Sequence, residues 1–309
     1  MFELKGKGVL HGNQFSRKDI ETIIKVASDF EKDLKKKESL TLLKGRILAT
    51  LFFEPSTRTR LSFETAMQRL GGGVISMASA ESSSAAKGET VADTARTVSQ
   101  YADIIVIRHP RIGSAKEAAD AASVPVINAG DGAGQHPTQA LLDIYTIQKE
   151  LGSLKDLTVS MVGDLKNGRT VHALVELLSL FKATLLLVSP GTLRMPDEIT
   201  SNLKKRGVEI VETDDLREAA FKSDLVYMTR IQKERFEDLS EYEKVKGHYV
   251  IDGDLLKGLK KRLTILHPLP RVDEISPEVD AYPGAAYFRQ VRNGVYVRMA
   301  LLAMILGKR

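Results

Sequence analysis

The stretch RILATLFF at residues 46–53 runs directly into EPSTRTR at residues 54–60, and this junction indicates the fold class. A mostly apolar run that ends at a proline and several hydroxyl side chains is typical of a buried strand followed by the start of a helix. Apolar residues then recur at helical spacing over residues 57–70, and the glycines at 71–73 end that helix. The junction therefore predicts a strand with a helix packed on it, the building unit of an α/β fold.

The same alternation of strand and helix continues along the chain. In the first half, further strands are predicted at residues 74–77, 103–108 and 124–128, and further helices at 89–101 and 114–122. In the second half, strands are predicted at 157–162, 184–188, 208–211, 225–228, 249–252 and 263–266, and helices at 170–181, 197–206 and 216–221. A helix at 138–151 connects the halves, and another at 295–306 ends the pattern. We therefore expect two parallel-sheet α/β domains joined by a helix, with the active site in the interdomain cleft.

Composition narrows the class of protein. The 309 residues are 43% hydrophobic and 28% charged, which excludes a mainly disordered chain. The absence of Cys excludes disulfides and thiolate chemistry, and the six His lack metal-ligand spacing, so we expect no metal site. A net charge of +5 suits anionic ligands but does not indicate nucleic acid. Because no apolar run is long enough for a membrane helix and no apolar signal segment is visible, we expect a cytoplasmic protein.

The turn at residues 54–60 carries the strongest chemical signal. It combines the free N–H groups of a helix start with three hydroxyl residues and the planar guanidinium of Arg58. This combination suits the oxygens of a phosphate. The alternative is a plain helix cap formed by Ser56 or Thr57.

Two further segments of the first half follow predicted strands. Ligands gather at the carboxyl ends of parallel strands, so Arg108 is expected in the same crevice; the alternative is pairing with a structural carboxylate such as Glu54, and both can hold together. The glycine-rich segment 130–139 brings His136 to the start of the connecting helix. A neutral imidazole there can donate a hydrogen bond to a carbonyl oxygen, and a purely structural histidine is the alternative.

Three segments of the second half occupy equivalent positions. The segment 163–170 is a weak match to a dinucleotide-binding loop, and it puts Arg169 at a helix start, where it can bind a carboxylate. The segment 230–235 is either a cationic binding loop or a solvated one, and the proline-clamped segment 267–271 presents backbone carbonyls. Cations and hydroxyls of this kind position anions and stabilise an oxyanion, and they do not suggest covalent catalysis.

In this order and at these separations, STRTR at 56–60, RHP at 108–110, HPTQ at 136–139 and HPLP at 267–270 resemble the transcarbamoylase family. The resemblance extends over residues 15–306. It implies a carbamoyl-phosphate-binding domain at 1–136 and an aspartate-binding domain at 137–292, with a last helix at 293–309 that packs back on the first domain. It also implies that no metal or cofactor takes part.

The resemblance implies which residues bind carbamoyl phosphate. They are Ser56, Thr57, Arg58, Thr59, Ser83, Arg108, His136 and Gln139. Of these, Thr59, Arg108 and His136 are implied to stabilise the oxyanion. The resemblance implies Lys87 as a fourth catalytic residue. The implied acceptor-binding residues are Lys87, Arg169, Arg230, Gln232, Leu269 and Pro270.

The phosphate turn is shared within the family, so the identity of the acceptor depends on other residues. Arg169, Arg230 and Gln232 supply two cations and an amide, which suit an acceptor with two carboxylates and would repel the cationic side chain of ornithine. Ornithine enzymes carry a cysteine in the turn at 267–270, and this chain has none. We therefore expect carbamoyl transfer to aspartate, an early step of pyrimidine biosynthesis. The alternatives are another amino-acid acceptor, such as ornithine, and a non-catalytic module that binds phosphorylated metabolites.

The segment 82–90 is, from its composition, a flexible loop. The family places a serine and a lysine of this loop in the active site of the neighbouring subunit, which implies a homotrimer with shared sites and, in some assemblies, regulatory chains. Spacing from Lys87 selects Ser83, with Ser82 and Ser84 as alternatives. The resemblance further implies that Glu54, with Arg108 and Arg169, and Arg235 form charged links that hold the domains closed.

Overall fold

The computed structural model describes residues 4–79, 84–132, 134–233, 236 and 238–309. The chain divides into two compact units. Unit 1 contains Met1–Leu142 and Val291–Arg309, and unit 2 contains Asp143–Gln290. The boundary falls inside the helix Pro137–Leu151, so the two units share one uninterrupted stretch of helical chain.

Unit 1 is a strand–helix alternation preceded by one long helix. Its strands are β1 (Ile47–Phe52), β2 (Gly73–Met77), β3 (Ile104–His109) and β4 (Val126–Asp131). Its helices are α1 (Arg17–Lys36), α2 (Thr57–Arg69), α3 (Val91–Val98) and α4 (Ser114–Ala121), and α5 (Pro137–Leu151) follows at the boundary. The alternation read from the sequence begins at residue 46 and does not predict α1. That helix starts at a reciprocal cap, in which Ser16 Oγ accepts the Asp19 N–H and the Asp19 carboxylate accepts the Ser16 N–H.

The sheet of unit 1 has the strand order β2-β1-β3-β4, and every pairing is parallel. β1 and β3 lie in the middle of this sheet, which explains why their sequences are nearly continuous apolar runs. Ala49 and Leu51 of β1 and Ile105 and Ile107 of β3 belong to one buried cluster that also includes Ala95 of α3. The predicted four-stranded parallel sheet with packed helices is confirmed.

Unit 2 repeats the architecture without repeating the sequence. Its strands are β5 (Thr158–Val162), β6 (Thr184–Val188), β7 (Ile210–Thr213), β8 (Leu225–Met228) and β9 (Thr264–Leu266). Its helices are α6 (Arg169–Leu178), α7 (Asp197–Lys205), α8 (Leu216–Lys222), α9 (Leu239–Val245) and α10 (Gly253–Lys257), and α11 (Tyr287–Ile305) begins in unit 2 and ends in unit 1. The strand order is β7-β6-β5-β8-β9, again with parallel pairings throughout.

One predicted strand of unit 2 is wrong. Residues 249–252 do not join the sheet: Ile251 forms an isolated bridge with Ile275, and α10 begins at Gly253. Tyr249 and Ile251 are buried in the same apolar cluster as Val226 of β8. Burial alone therefore produces the apolar spacing that resembles a strand.

Among the helices of the described residues, none is both long enough and apolar enough to cross a membrane.

Candidate active site

Each sheet contains one point at which the strand order reverses, and the predicted site segments follow the strands beside it. In unit 1 the chain passes from β1 outward to β2 and returns to β3 on the other side of β1. In unit 2 it passes from β5 through β6 to β7 and returns to β8 on the other side of β5. The loops after the two central strands diverge at such a point, which leaves a crevice suited to ligands. The loops concerned begin after β1 and β3 in unit 1 and after β5 and β8 in unit 2.

The turn after β1 leads into α2 in the way a phosphate site requires. Ser56 occupies the N-cap position with an extended backbone, and in the described part of the chain its side chain makes no cap hydrogen bond. The predicted alternative, a helix capped by the Ser56 hydroxyl, is therefore not observed. Thr59 is buried in the first turn, whereas Thr57 and Arg58 are exposed. The turn thus keeps hydroxyls, helix N–H groups and a cation together at the positive end of α2.

Arg108 lies close enough to Arg58 to affect the pKa of Arg58. Although Arg58 reaches the surface, partial desolvation lowers its pKa, and the positive charge of Arg108 lowers it further. Arg108 is largely buried, and its Nη2 lies 3.2 Å from Glu54 Oε1, so the alternative pairing expected for this arginine is present. Its Nε is buried with no hydrogen-bond partner among the described residues. Glu54 thus pairs with one of two neighbouring guanidinium groups, an arrangement suited to an anionic ligand.

The turns after β3 and β4 are in direct contact. The Gly132 N–H donates to the His109 carbonyl oxygen at 2.8 Å. Gly132 has φ of 54°, and a Cβ at this position would lie 2.4 Å from the Pro110 carbonyl oxygen. Only glycine fits here without strain, because both the positive φ and the close approach exclude a side chain. The segments that carry Arg108 and His136 are therefore held against each other.

A buried carboxylate braces the loop that carries His136. Asp131 Oδ1 accepts the Gln135 N–H at 2.9 Å and the Asn128 amide at 3.2 Å, and Asp131 Oδ2 accepts the Gly113 N–H at 3.1 Å. Asn128 Oδ1 in turn accepts the Gly130 N–H at 2.8 Å. The Asp131 carboxylate therefore joins the described residues 113, 128 and 135 through hydrogen bonds.

His136 itself stands at the amino end of α5, as expected. Its carbonyl oxygen accepts the Gln139 N–H at 3.0 Å and the Ala140 N–H at 3.3 Å, so it occupies the cap position of the helix. Its side chain is only 4% exposed, and that of Gln139 is also buried.

In unit 2, the loop after β5 turns tightly into α6. Asp164 Oδ1 accepts the Asn167 N–H at 2.9 Å, and α6 begins at Arg169 after the N-cap Gly168. Gly163 has φ of 112°, and a Cβ there would lie 2.2 Å from the Thr229 carbonyl oxygen. The loop that bears Arg169 is therefore packed against the end of β8, immediately before Arg230. Arg169 and Arg230 are both half-buried.

The turn after β9 is fixed by buried hydrogen bonds. His267 Nδ1 accepts the Leu269 N–H at 2.7 Å, and His267 Nε2 lies 2.6 Å from Glu274 Oε1. The His267 N–H donates to Gln290 Oε1 of α11 at 3.0 Å. Leu269 and Pro270 are accessible, and Leu269 has φ of 56°. The turn therefore offers its backbone groups at the surface while its base is rigid.

Not every predicted residue falls in these loops. Gln232 follows Arg230 in the loop after β8 and is half-buried, whereas Lys87 is exposed at the end of a short 3-10 helix, Ser84–Lys87. Ser82, Ser83 and Arg235 lie outside the described residues.

Sequence reasoning missed the supporting residues Asn128, Asp131 and Glu274. Their signal is a polar side chain next to the end of a buried strand or turn, which is too common in sequences to single them out.

The described residues contain no group of His, Cys, Asp and Glu arranged to hold a metal ion.

Comparison with known proteins agrees with the arrangement of two units. Residues 7–149 match the "Aspartate/ornithine carbamoyltransferase, carbamoyl-P binding domain", and residues 155–305 match the "Aspartate/ornithine carbamoyltransferase, Asp/Orn binding domain". The chain is 57% identical over 303 residues to the aspartate carbamoyltransferase catalytic subunit of Thermococcus kodakarensis, and the match covers 98% of both chains.

Two solved structures are similar over nearly the whole chain. An aspartate transcarbamoylase from Trypanosoma cruzi, in complex with carbamoyl phosphate and aspartate, is 46% identical with a TM-score of 0.94, and the match covers 98% of both chains. The catalytic subunit of M. jannaschii aspartate transcarbamoylase is 51% identical with a TM-score of 0.90, and the match covers 96% of both chains. With both domains matched in order, this chain belongs to the aspartate/ornithine carbamoyltransferase family.

Proposed function

We propose that this chain transfers the carbamoyl group of carbamoyl phosphate to the amino group of L-aspartate, giving N-carbamoyl-L-aspartate and phosphate. The observation that carries the proposal is the pair of cationic loops that flank the reversal point of each sheet. Unit 1 offers Arg58 and Arg108, which suit a phosphate, and unit 2 offers Arg169 and Arg230, which suit a dicarboxylate. Relatives named aspartate carbamoyltransferase that match nearly the full chain support this acceptor.

Unit 1 binds the donor in this proposal. Ser56, Thr57, Arg58 and Thr59 hold the phosphate oxygens, with Ser83 of a neighbouring subunit and Arg108 as further ligands. Thr59, Arg108 and His136 hydrogen-bond the carbonyl oxygen, and Gln139 binds the carbamoyl amide. Because such donors are aimed at the oxygen before the reaction begins, they stabilise the oxyanion without reorganisation.

The reaction is a substitution at the carbonyl carbon. The neutral amine nitrogen of aspartate forms a bond to this carbon, and the carbonyl electrons move onto the oxygen. The tetrahedral intermediate then expels phosphate as the carbon–oxygen bond breaks, and the leaving phosphate accepts the amine proton. Proximity and electrostatic stabilisation supply the rate, and no step needs a metal or a cofactor.

Unit 2 selects the acceptor. The guanidinium groups of Arg169 and Arg230 and the amide of Gln232 bind the two carboxylates, and the backbone at Leu269 and Pro270 completes the contacts. Lys87 of a neighbouring subunit binds aspartate and acts as a further catalytic residue. An acceptor with a cationic side chain is excluded, because two arginines face the position that it would occupy.

The assembly expected from the sequence is a homotrimer with shared sites, and regulatory chains can extend it. Glu54 and Arg235 provide charged links that accompany substrate binding. These points, together with a cytoplasmic location and a place in pyrimidine biosynthesis, stay predictions.

Titration with the bisubstrate analogue N-(phosphonacetyl)-L-aspartate, with the mass of the complex measured in parallel, tests the proposal. We expect one tight site per chain, competition with carbamoyl phosphate and a trimeric mass. The matched control is the ornithine analogue with the same phosphonacetyl group, which we expect to bind at least 100-fold more weakly because of charge repulsion. Equal affinity for the two analogues would contradict the acceptor assignment. Binding of carbamoyl phosphate without tight binding of either analogue would favour a non-catalytic module.

A further inference from the structure

The turn after β9 rests on one buried histidine–carboxylate pair. His267 is 2% exposed and Glu274 is 5% exposed, and His267 Nε2 lies 2.6 Å from Glu274 Oε1. Neither residue belongs to the groups assigned to substrates above. A polar pair buried this deeply must have its hydrogen bonds satisfied within the protein, so its arrangement constrains the chain around it.

The contacts of the ring determine which nitrogen carries the proton. The Leu269 N–H can only donate, so His267 Nδ1, 2.7 Å away, must accept and is unprotonated. A neutral ring then carries its proton on Nε2, which donates to Glu274 Oε1. The carboxylate thus selects the tautomer that lets the ring hold Leu269.

Glu274 is itself held in place from its other side. Its Oε2 accepts the Val272 N–H at 3.2 Å and the Asp273 N–H at 3.1 Å. An ionised carboxylate accepts hydrogen bonds only, so it satisfies the ring and both amides at once. A side-chain amide of the same shape cannot do so, because one of its two ends donates.

The backbone of His267 is anchored independently of this pair. The His267 N–H donates to Gln290 Oε1 at 3.0 Å, Gln290 Nε2 donates to Asp143 Oδ1 at 2.6 Å, and the Tyr227 hydroxyl donates to Asp143 Oδ2 at 2.8 Å. The position of the His267 backbone therefore does not depend on Glu274. What Glu274 controls is the ring's protonation pattern, and through it the Leu269 amide.

Leu269 needs this support because its φ is 56°, in the left-handed region that a β-carbon disfavours. We propose that Glu274 is a positioning residue for the carbamoyl transfer reaction: through the tautomer of His267, it fixes the backbone of Leu269 and Pro270 in the orientation that receives the acceptor amino acid. This inference rests on the proposed function, in which that backbone contacts aspartate.

The test is the substitution Glu274→Gln. The amide oxygen keeps the Val272 and Asp273 N–H groups, and the amide nitrogen then donates to His267 Nε2. The ring must carry its proton on Nδ1, which opposes the Leu269 N–H. We expect KM for aspartate to rise at least tenfold, KM for carbamoyl phosphate to stay within twofold, and Tm to fall, because the opposed N–H groups of residues 267 and 269 lose a buried hydrogen bond.

The ¹⁵N NMR spectrum of the imidazole nitrogens supplies a readout that does not depend on activity. We expect the Nε2–H form of His267 in the parent protein and the Nδ1–H form in E274Q. The matched control is Glu176→Gln, also in unit 2 and on α6, whose Oε2 is buried with no partner among the described residues. We expect this control to leave both Michaelis constants and the His267 signal unchanged.

A second pair of variants separates positioning from stability. In His267→Asn the side-chain oxygen can accept the Leu269 N–H in place of Nδ1, whereas Glu274 loses its donor. We expect a lower Tm with KM for aspartate within threefold of the parent value, and a rise of at least tenfold in His267→Ala.

Three results would overturn the inference: an unchanged tautomer in E274Q, an unchanged KM for aspartate in E274Q, or equal changes in both Michaelis constants. If E274Q does not fold, equal KM values for aspartate in His267→Asn and His267→Ala would overturn it. Failure of the proposed function is a different result, because the parent protein would then form no carbamoylaspartate while the NMR signal of His267 still reports the pair.

Discussion

The backbone N–H of Gly132 donates to the carbonyl oxygen of His109 at 2.8 Å. This hydrogen bond joins the turn after β3 to the turn after β4, so it couples the segment of Arg108 to the segment of His136. Both residues are proposed to contact the same carbonyl oxygen of the donor. The relative position of these two backbone segments is therefore set by direct contact between the turns.

The substitution Gly132→Ala tests the contact between these two turns. The new Cβ would lie 2.4 Å from the Pro110 carbonyl oxygen, so the two turns must separate. The control is Gly45→Ala, which has a similarly unfavourable φ of 80° but meets no described atom within 4 Å. We expect the control to lower the free energy of unfolding by about 1–2 kcal/mol, the cost of the left-handed backbone, and to remain active. Gly132→Ala should lose more stability and most of kcat. Equal effects in chemical denaturation and kinetics would contradict the coupling of the turns.

Arg58→Ala tests the anion site of unit 1. A lost charge-assisted hydrogen bond of about 1.5–3 kcal/mol corresponds to a Kd for carbamoyl phosphate that is about 10- to 150-fold higher. Arg96→Ala is the control, because Arg96 is an exposed arginine of the same unit that pairs with Asp93 at 2.9 Å. We expect unchanged affinity in the control and unchanged Tm in both variants. Calorimetric titration that finds normal carbamoyl phosphate binding in Arg58→Ala would rule out this assignment.

Two buried tyrosines of unit 2 predict opposite effects of Tyr→Phe. The Tyr249 hydroxyl is buried with no hydrogen-bond partner in the part of the chain that the structure describes. The Tyr287 hydroxyl donates to Asp280 and accepts from Arg271 Nη1 at 3.0 Å. Removal of an unsatisfied buried hydroxyl is neutral or stabilising, so Tyr249→Phe should keep or raise Tm. Tyr287→Phe should lower the free energy of unfolding by about 1 kcal/mol. Thermal unfolding that destabilises Tyr249→Phe more than Tyr287→Phe would be inconsistent with these contacts.

The same tyrosines predict a loss of stability at alkaline pH. Burial raises the pKa of Tyr249 from 10.0 to about 12, with a further contribution from Asp214. Burial and then the hydrogen bond to Asp280 raise the pKa of Tyr287 to about 12 as well. The unfolded chain releases these protons near pH 10 and the folded chain near pH 12. The two tyrosines therefore contribute their full stabilisation below pH 10, and this contribution is lost as the pH rises from 10 through about 12. In urea denaturation between pH 9 and 12, Tyr249→Phe should show a shallower decline than the parent protein. Identical pH dependence would argue against a shifted Tyr249.

Mixed oligomers test the shared site. Lys87→Ala and Arg58→Ala chains should each be nearly inactive alone, because each lacks one proposed contact to the substrates. In a randomly mixed oligomer, about a quarter of the sites combine an intact Arg58 with an intact Lys87 of the neighbour. We expect activity to reappear when the chains are dissociated together and reassembled. A mixture that stays inactive, although mass measurement shows that hybrids have formed, would mean that Lys87 acts within its own subunit or not at all.

Much of the fold can be predicted from local patterns in the sequence. Residues 46–53 are apolar because β1 is central in its sheet, and the change to EPSTRTR coincides with the start of α2. The glycines at 71–73 end α2, as glycine commonly does at the carboxyl end of a helix. As predicted, Arg58, Arg169 and Arg230 follow strands β1, β5 and β8, whereas Arg108 lies within the last residues of β3, because parallel strands send their carboxyl ends to one edge of their sheet.

Other features depend on contacts that a linear pattern does not contain. Residues 249–252 appear strand-like, yet Ile251 makes only an isolated bridge. α11 begins at Tyr287, earlier than the predicted residue 295. The apolar pattern does not reveal its first turns, because they carry charged residues such as Arg289, which pairs with Glu150 at 2.7 Å. The roles of Asp131 and Glu274 emerge only from hydrogen bonds to backbone amides, which tertiary structure brings together.

Unit 2 is proposed to select a dicarboxylic acceptor for the carbamoyl group. The most direct measurement is product identification by mass spectrometry after the purified chain is incubated with carbamoyl phosphate and equal concentrations of L-aspartate and L-ornithine. The predicted result is N-carbamoyl-L-aspartate with one phosphate released per product and with ornithine left unmodified. Formation of citrulline, or phosphate release without any carbamoylated amino acid, would contradict carbamoyl transfer to aspartate.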